Sequence, residues 1–232
     1  MILRQEGGRN ARLFLSRAQA TPVRTGSDGV FEVAATEGLG QARGVVLVGV
    51  EGRLVEVEAH AHQGMVKFTF VGLADRSVGE ARDRARSALL NSGLPWPAMR
   101  ITIGLSPASI PKSGPTLDLP VALTIAATQD AVPQEALRGP VFLGELGLDG
   151  SLRPVRGVLV AALAARRAGV RTLVVPAANA AEARLVDGLQ VLAFHTLAGV
   201  VAHLRDEPPT CGGRRTGSCA ALVGSAPGPR PA

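Results

Sequence analysis

The sequence predicts a mixed α/β fold in which helices cover the faces of one sheet. Three observations carry this prediction. Polar and apolar residues alternate from Leu54 to His62, which is the period of a half-buried strand. Apolar residues between Val78 and Leu89 recur at helical spacing. Strand-like and helix-like segments interleave along the rest of the chain without strict alternation, which favours a mixed sheet.

The first half of this pattern contains four strands and one helix. The segments "GVVLVGV" and "RLVEVEAHAH" predict two strands joined by a hairpin turn at Gly52-Arg53, and "KFTFVG" and "RITIGL" predict two more. Residues 75–93 predict a helix that Asp75 caps and Gly93 ends.

The second half predicts four further strands and four helices. "DLPVALTIAATQ" is a nearly all-apolar helix with Asp118 as its expected N-cap, and Pro120 is tolerated in the first turn because its missing N–H is not needed there. "PVFLGELGLDGSLRPV" predicts a strand, a tight turn at the Asp-Gly pair and a short return strand. The strands "RTLVVP" and "LQVLAF" alternate with helices, of which two can be capped by Asn179 and Thr196.

Composition and charge limit which domain organisation and which surfaces are possible. The chain has 232 residues, 46% of them hydrophobic but only 3% aromatic, so its core must be aliphatic. The net charge is +6, yet residues 41–207 carry 17 basic and 15 acidic side chains, so a nucleic-acid surface is permitted but not required. We expect a poorly defined segment over 1–43, an α/β domain over 44–206 and a disordered Pro/Gly/Ala-rich tail over 207–232.

The two ends of the chain predict a soluble cytoplasmic protein that does not contact a membrane. The N-terminus lacks the apolar run of a signal peptide, and no uncharged apolar stretch of 18 residues occurs. The tail holds Cys211 and Cys219, whose spacing does not form a zinc site. It also carries half of the excess charge, on Arg214, Arg215 and Arg230.

Motifs for cofactors and metals fail on inspection, so we predict neither in this chain. Lys112-Ser113 resembles the end of a phosphate-binding loop, but Ile110-Pro111 stands where glycine amides must wrap the phosphates. "GLGQARG" at 38–44 has the wrong glycine spacing for a dinucleotide loop and leads into a strand. His60 and His62 share one strand face, but a third metal ligand at a suitable spacing is missing.

The predicted helix at 75–93 carries alternating charges that leave two interpretations open. Acidic and basic residues lie three and four positions apart, as on a solvated, ion-paired helix face. The sharper interpretation is a weak DNA-contacting face. Its candidate residues are Arg76, Arg82, Arg84 and Arg86.

Four motifs together resemble a known family. The patterns "VGL-D", "R-R-ALLNSG", "P-DLP-AL" and "GEL-LDG-LRPV-G" fall in order within about residues 43–205. In this combination they resemble the N-terminal domain of the ComM/YifB proteins, the Mg-chelatase-like AAA+ ATPases. The resemblance implies a two-layer α/β fold with a mixed sheet, similar to the proteolytic domain of Lon, to the C-terminal domain of RadA and to a ribosomal protein.

The Lon-like loop implied by this resemblance lacks its catalytic pair. Lon proteases carry a serine directly after the Gly-Pro of this loop, where this sequence has Thr116, and a lysine at a position that falls here at about Leu159. A hydroxyl nucleophile needs a base to accept its proton, and leucine cannot serve. We therefore predict a degenerate loop in which Lys112, Thr116 and Asp118 are scaffold residues and none is catalytic.

The resemblance also implies a parent activity, which is ATP-driven DNA remodelling by branch migration during recombination and natural transformation. ATP and Mg²⁺ are expected only in an ATPase module, which this sequence does not contain, and ring assembly is expected only with that module. We therefore expect a truncated, non-catalytic leading domain that binds DNA weakly and does not metallate porphyrins. Two alternatives stay open, a residual peptidase that uses Thr116 with Lys112 and an inert fragment.

Overall fold

A seven-stranded mixed sheet organises residues 38–207, the part of the chain that the computed structural model describes. The strands are β1 (Gly38–Val48), β2 (Glu51–His62), β3 (Lys67–Val71), β4 (Arg100–Ser106), β5 (Val141–Phe142), β6 (Glu145–Leu146), β7 (Leu152–Arg153), β8 (Thr172–Pro176) and β9 (Gln190–Phe194). Their order across the sheet is β3-β4-β2-β1-β5-β8-β9, and only β2 runs antiparallel to its neighbours. Strands β6 and β7 form a separate hairpin.

Helices lie on both faces of the sheet. They are α1 (Arg76–Gly79), α2 (Ala81–Asn91), α3 (Asp118–Ala127), α4 (Gln134–Leu137), α5 (Val158–Arg167), α6 (Ala180–Ala183) and α7 (Leu197–Leu204). Helices α2, α3 and α7 bury their apolar residues against one face, and α5 and α6 bury theirs against the other. The mixed α/β class predicted from the sequence is therefore confirmed.

The two faces are not covered equally. On one face the large core joins Val57 and Ile103 of the sheet to Leu89 and Leu123 of the helices. On the other face the smaller core, which includes Val141, lies under α5 and α6. Over β3, β4 and the C-terminal half of β2 the fold thus has two layers, as the resemblance implied, and the second face of the sheet is open to solvent.

The start of the sheet differs from the prediction in two places. The hairpin turn lies at Gly49-Val50 rather than at Gly52-Arg53. Strand β1 begins at Gly38, six residues before the predicted domain boundary at 44. The reason is packing, because a β-carbon added at Gly40 would collide with the main chain of α3, and one added at Gly38 with the main chain of Thr128 just past its end. The glycines of "GLGQARG" thus allow a helix to lie directly on a strand.

The predicted helix at 75–93 is broken into two. Asp75 caps it as expected, since its Oδ1 accepts from the Val78 amide at 3.0 Å. Helix α1 then ends at Gly79, and α2 begins at Ala81. Past the end of α2, Gly93 adopts a φ of +73°, the left-handed conformation that ends a helix without strain only at glycine.

Two of the other predicted caps are wrong. Asp118 lies in the first turn of α3 and makes no capping bond, because a 3₁₀ turn at Pro115–Leu117 leads directly into the helix. Asn179 instead bonds both the amide and the carbonyl of Val155, at 3.0 and 2.9 Å. Thr196 caps α7 as predicted, accepting from the Gly199 amide at 3.1 Å.

Several predictions lie outside the described residues. They concern most of the 1–43 segment and nearly all of the tail, including Cys211, Cys219 and the tail arginines. Within residues 38–207, no helix is both long and apolar enough to cross a membrane. The same residues bring together no group of three or more His, Cys, Asp or Glu side chains that could hold a metal ion.

Candidate functional site

The candidate site is the loop between β4 and α3, which the main chain fixes at both ends. The Lys112 amide donates to the Leu73 carbonyl at 2.8 Å, and the Lys112 carbonyl accepts from the Asp75 amide at 3.0 Å. Near α3, the Thr116 carbonyl accepts from the Gly144 amide at 3.1 Å. The loop is therefore held between the start of α1 and the segment that joins β5 to β6.

Lys112 turns inward from this loop. Its side chain has no exposed surface, and its Nζ donates to the carbonyl of Pro107. Burial lowers the pKa of its amino group below the ordinary lysine value. No carboxylate forms an ion pair with Lys112 among residues 38–207. The amino group is thus bound to the main chain and shielded from any substrate in solvent.

Thr116 occupies the 3₁₀ turn that precedes α3, which agrees with its prediction as a turn residue. It is half-buried, and its carbonyl holds Gly144. One helical turn further on, the Leu119 amide donates back to the Gly144 carbonyl at 3.1 Å. This reciprocal pair of bonds fixes the backbone around Thr116 without any contribution from its hydroxyl.

Asp118 is buried and is bound by three donors. Arg84 of α2 donates from Nε to Oδ2 at 2.6 Å and from Nη2 to Oδ1 at 2.9 Å. The Leu146 amide of β6 adds a third bond to Oδ2 at 3.2 Å. The Asp118 side chain is 1% exposed and that of Arg84 is 18% exposed. One carboxylate therefore joins α2, α3 and the β6–β7 hairpin.

The pKa values of this pair follow from burial and pairing. Burial raises the pKa of the Asp118 carboxyl, while Arg84 and the Leu146 amide act in the opposite direction. The hydrogen bond to Asp118 raises the pKa of the Arg84 guanidinium. Since two of the three guanidinium nitrogens and one amide donate to the carboxylate, we interpret the pair as ionised at neutral pH. Its bonds connect α2, α3 and the β6–β7 hairpin.

Leu159 stands where the Lon-like pattern has a lysine, and its surroundings are apolar. The side chain packs against the smaller core beneath α5. Its amide donates to Oε1 of Glu182 at 2.9 Å, so a carboxylate from α6 satisfies an amide in the first turn of α5. This position contributes packing and a helix cap, and it supplies no base.

The arginines of the α1–α2 region have different surroundings. Arg84 is occupied by Asp118, which argues against a contact with phosphate. Arg82 is half-exposed and lies over the Phe68 ring at 5.8 Å, and Asp83 is 3.8 Å away. Arg86 is exposed and has no ion-pair partner within the described ranges. The side chain of Arg76 lies outside the described part of the structure.

Sequence reasoning missed the Arg84–Asp118 pair. The two residues are 34 positions apart and belong to helices that were predicted separately. The one available signal was an aspartate at the start of an almost wholly apolar helix, and that signal fits a helix cap equally well.

Comparison with known proteins identifies relatives of this chain. The family model described as "Subunit ChlI of Mg-chelatase" matches residues 57–179. An uncharacterized protein of Mycobacterium tuberculosis is 46% identical over 167 residues, which are 72% of this chain and 33% of the relative. Competence protein ComM of Haemophilus influenzae is 42% identical over 160 residues, 69% of this chain and 31% of the relative. The YifB protein of Escherichia coli is 40% identical over 157 residues, 68% of this chain and 31% of the relative.

A weaker similarity connects the chain to proteases. The Lon protease of Chloroflexus aurantiacus is 30% identical over 149 residues, which are 60% of this chain and 18% of that protein. The chain spans about a third of the length of the ComM and YifB relatives.

Proposed function

Because the family model covers more than half of its residues, the chain belongs to the ChlI family of Mg-chelatase-like proteins, and we propose that it is a non-catalytic domain of a ComM/YifB-type protein. Its function is to support the assembly of that protein and its handling of DNA. The observation that carries this proposal is the state of the Lon-like loop. Lys112 and Asp118, the two charged groups nearest Thr116 in this loop, are both engaged in holding the fold together.

The loop supports a scaffold role because the chemistry of a hydroxyl nucleophile needs a neutral amine or another base within hydrogen-bond reach. Lys112 is bound to the Pro107 carbonyl, and Leu159 packs in an apolar core. Asp118 is paired with Arg84. The geometry therefore favours the scaffold over the alternative peptidase that uses Thr116 with Lys112.

The DNA part of this proposal comes from the relatives. The Haemophilus relative is named a competence protein, and remodelling of recombining DNA is the activity that the resemblance to its family implies. For an isolated domain with a nearly balanced charge we propose weak binding without sequence preference. Such binding depends on releasing counterions from a few phosphates and weakens steeply with salt.

We further propose that this chain takes no ATP and no Mg²⁺. The Lys112 side chain has no exposed surface, so it cannot reach a phosphate, although the sequence "KS" ends phosphate-binding loops. Equilibrium binding of a fluorescent ATP analogue tests this proposal. We expect no micromolar binding, and a signal that unlabelled ATP competes away would contradict it.

Fluorescence anisotropy of labelled DNA tests the proposed handling of DNA. Purified full-length chain is titrated into labelled single- and double-stranded oligonucleotides at several salt concentrations. We expect binding at low salt that disappears near physiological ionic strength. A chain that binds neither DNA at the lowest salt would contradict the DNA part and leave ring assembly as the role of the domain.

A further inference from the structure

The open face of the sheet presents side chains in four ordered rows. The register of β2, β3 and β4 places residues opposite one another, and directly opposed residues project on the same face. The first row, at the ends of the strands, contains Lys67, Arg100 and His62. The second contains Thr69, Thr102, His60 and, from β1, Leu39. The third contains Val71, Gly104, Glu58 and Gln41, and the fourth contains Ser106, Glu56 and Arg43.

This face is open because α5 covers only its far end. Helix α5 crosses the sheet beside Gly52, where an added β-carbon would lie 2.7 Å from Cβ of Ala164. The four rows lie beyond that crossing. Lys67, Arg100 and His60 are all exposed. The strand ends farthest from α5 are therefore accessible to a large ligand.

The first row carries two basic side chains, and each of the first two rows carries one histidine. We call Lys67, Arg100, His60 and His62 the basic corner. The imidazole rings of His60 and His62 lie 5.0 Å apart. Neither Lys67 nor Arg100 forms an ion pair within the described residues. Two fixed positive charges are therefore available at neutral pH.

The acidic residues of this face belong to the third and fourth rows, which are farther along the strands from the first row. Glu58 accepts a hydrogen bond from Nε2 of Gln41 at 2.8 Å. Glu56 lies in the fourth row, about 20 Å from the first row at the usual rise of a strand. Carboxylates thus occur on this face in the third and fourth rows, and the one cation there, Arg43, is bound to the carbonyls of Arg138 and Gly139. The first row is therefore the most favourable place on the open face for an anion.

We propose that the basic corner is a binding site for single-stranded nucleic acid. Lys67 and Arg100 contact the phosphates, and the imidazoles with Leu39 and Val71 contact the bases. Leu39, opposite His60 in the second row, is 57% exposed, and Val71, in the third row on β3, is 56% exposed. The inference rests on the proposed handling of DNA and gives that function a location on the sheet, distinct from the arginines of α2.

A single strand fits this surface better than a duplex does. A flat sheet face that carries ring side chains lets unpaired bases stack, whereas the bases of a duplex are already stacked on one another. The hydroxyls of Thr69 and Thr102 lie in the same row as His60, where they can bond base edges or phosphates. An acidic protein segment would use the charges but would gain little from the rings.

The test is fluorescence anisotropy of a labelled 20-nucleotide oligo-dT with the full chain at several salt concentrations. The first variant is Lys67→Ala with Arg100→Ala, which removes two phosphate contacts. Since each contact on a single strand contributes about 0.7 to the slope of log affinity against log salt, we expect the slope to fall by about 1.4. We expect the affinity at low salt to fall on the order of tenfold.

The second variant, His60→Ala with His62→Ala, separates stacking from charge. It should weaken binding several-fold and leave the salt slope unchanged, because stacking releases no counterions. The matched control is Arg167→Ala with Arg171→Ala, which removes two exposed positive charges away from the open face. We expect the control to change affinity by less than about twofold.

Each outcome decides the proposal. A Lys67/Arg100 variant that binds as tightly as the Arg167/Arg171 control would overturn it, as would a loss confined to Arg82→Ala with Arg86→Ala. Tighter binding of the same sequence as a duplex would also overturn it. If the wild-type chain binds no DNA even at low salt, the proposed DNA handling fails together with it. Wild-type binding without an effect of the corner variants contradicts only the location.

Discussion

Arg84 and Asp118 join α2 to α3 through two hydrogen bonds, of 2.6 Å between Nε and Oδ2 and of 2.9 Å between Nη2 and Oδ1. The pair lies at the start of the helix that follows the Lon-like loop. It also receives the Leu146 amide, so it fixes the β6–β7 hairpin against both helices. The contacts that this charged pair makes between elements of the fold are thus sufficient to explain its presence in the candidate site.

Removing Arg84 should destabilise the protein strongly. Arg84→Ala leaves the Asp118 carboxylate buried without its cationic partner, which costs about 3–5 kcal/mol in comparable buried pairs. Chemical denaturation of the wild type and the variant, followed by circular dichroism, measures the change in the free energy of unfolding.

Two further variants make this result specific. Arg138→Ala breaks the exposed pair with Glu135 and should cost no more than about 1 kcal/mol. Arg84→Leu with Asp118→Leu removes both charges and should be more stable than Arg84→Ala, because apolar side chains in place of a buried ion pair leave no unpaired charge. An Arg84→Ala cost no larger than that of Arg138→Ala would contradict the structural role.

Lys112 should make stability depend on alkaline pH. Because burial lowers its pKa in the folded state, the unfolded chain holds more protons between that lowered value and the ordinary value of 10.5. The free energy of unfolding therefore rises with pH through this window. We expect the wild type to gain stability relative to Lys112→Met between pH 7 and pH 10. Denaturation at both pH values measures the difference, and curves that stay parallel would contradict a buried ammonium.

Gly40 should not tolerate a side chain. A β-carbon there would overlap the Thr124 carbonyl in the middle of α3, so strand and helix would have to separate. We expect Gly40→Ala to cost about 3 kcal/mol or more, at the upper end of overpacking effects. Gly139→Ala is the control, since no atom lies within 4 Å of the added carbon. Thermal unfolding compares the two, and equal stability would refute close packing as the reason for the glycine.

Much of the fold could be predicted from local pattern. The alternation in β2 and the helical spacing in α2 each report directly which face is buried. The early start of β1 could not be predicted, because it depends on a contact with a distant helix. The local pattern also did not show the break between α1 and α2. The segment that contains Gly38 and Gly40 has the composition of a loop. Only the close approach of α3 and its C-terminal end explains why glycine occupies these two positions of a strand.

The candidate site was predicted in part. Thr116 in a turn and the absence of a base at Leu159 follow from a comparison of residue types alone. The pairing of Asp118 with Arg84 and the burial of Lys112 require knowledge of which helices meet. The basic corner joins residues of three strands, and the sequence does not show which strands are neighbours.

The central claim is that the Lon-like loop is a scaffold, and a peptide-hydrolysis assay tests it most directly. Purified full-length chain is incubated with fluorescent casein and with short peptides, beside Thr116→Ala and Lys112→Met. We predict no turnover above buffer for any of the three proteins, because Thr116 has no base and Lys112 is bound to the Pro107 carbonyl. Turnover by the wild type that Thr116→Ala abolishes would contradict the account and would identify the chain as a hydrolase.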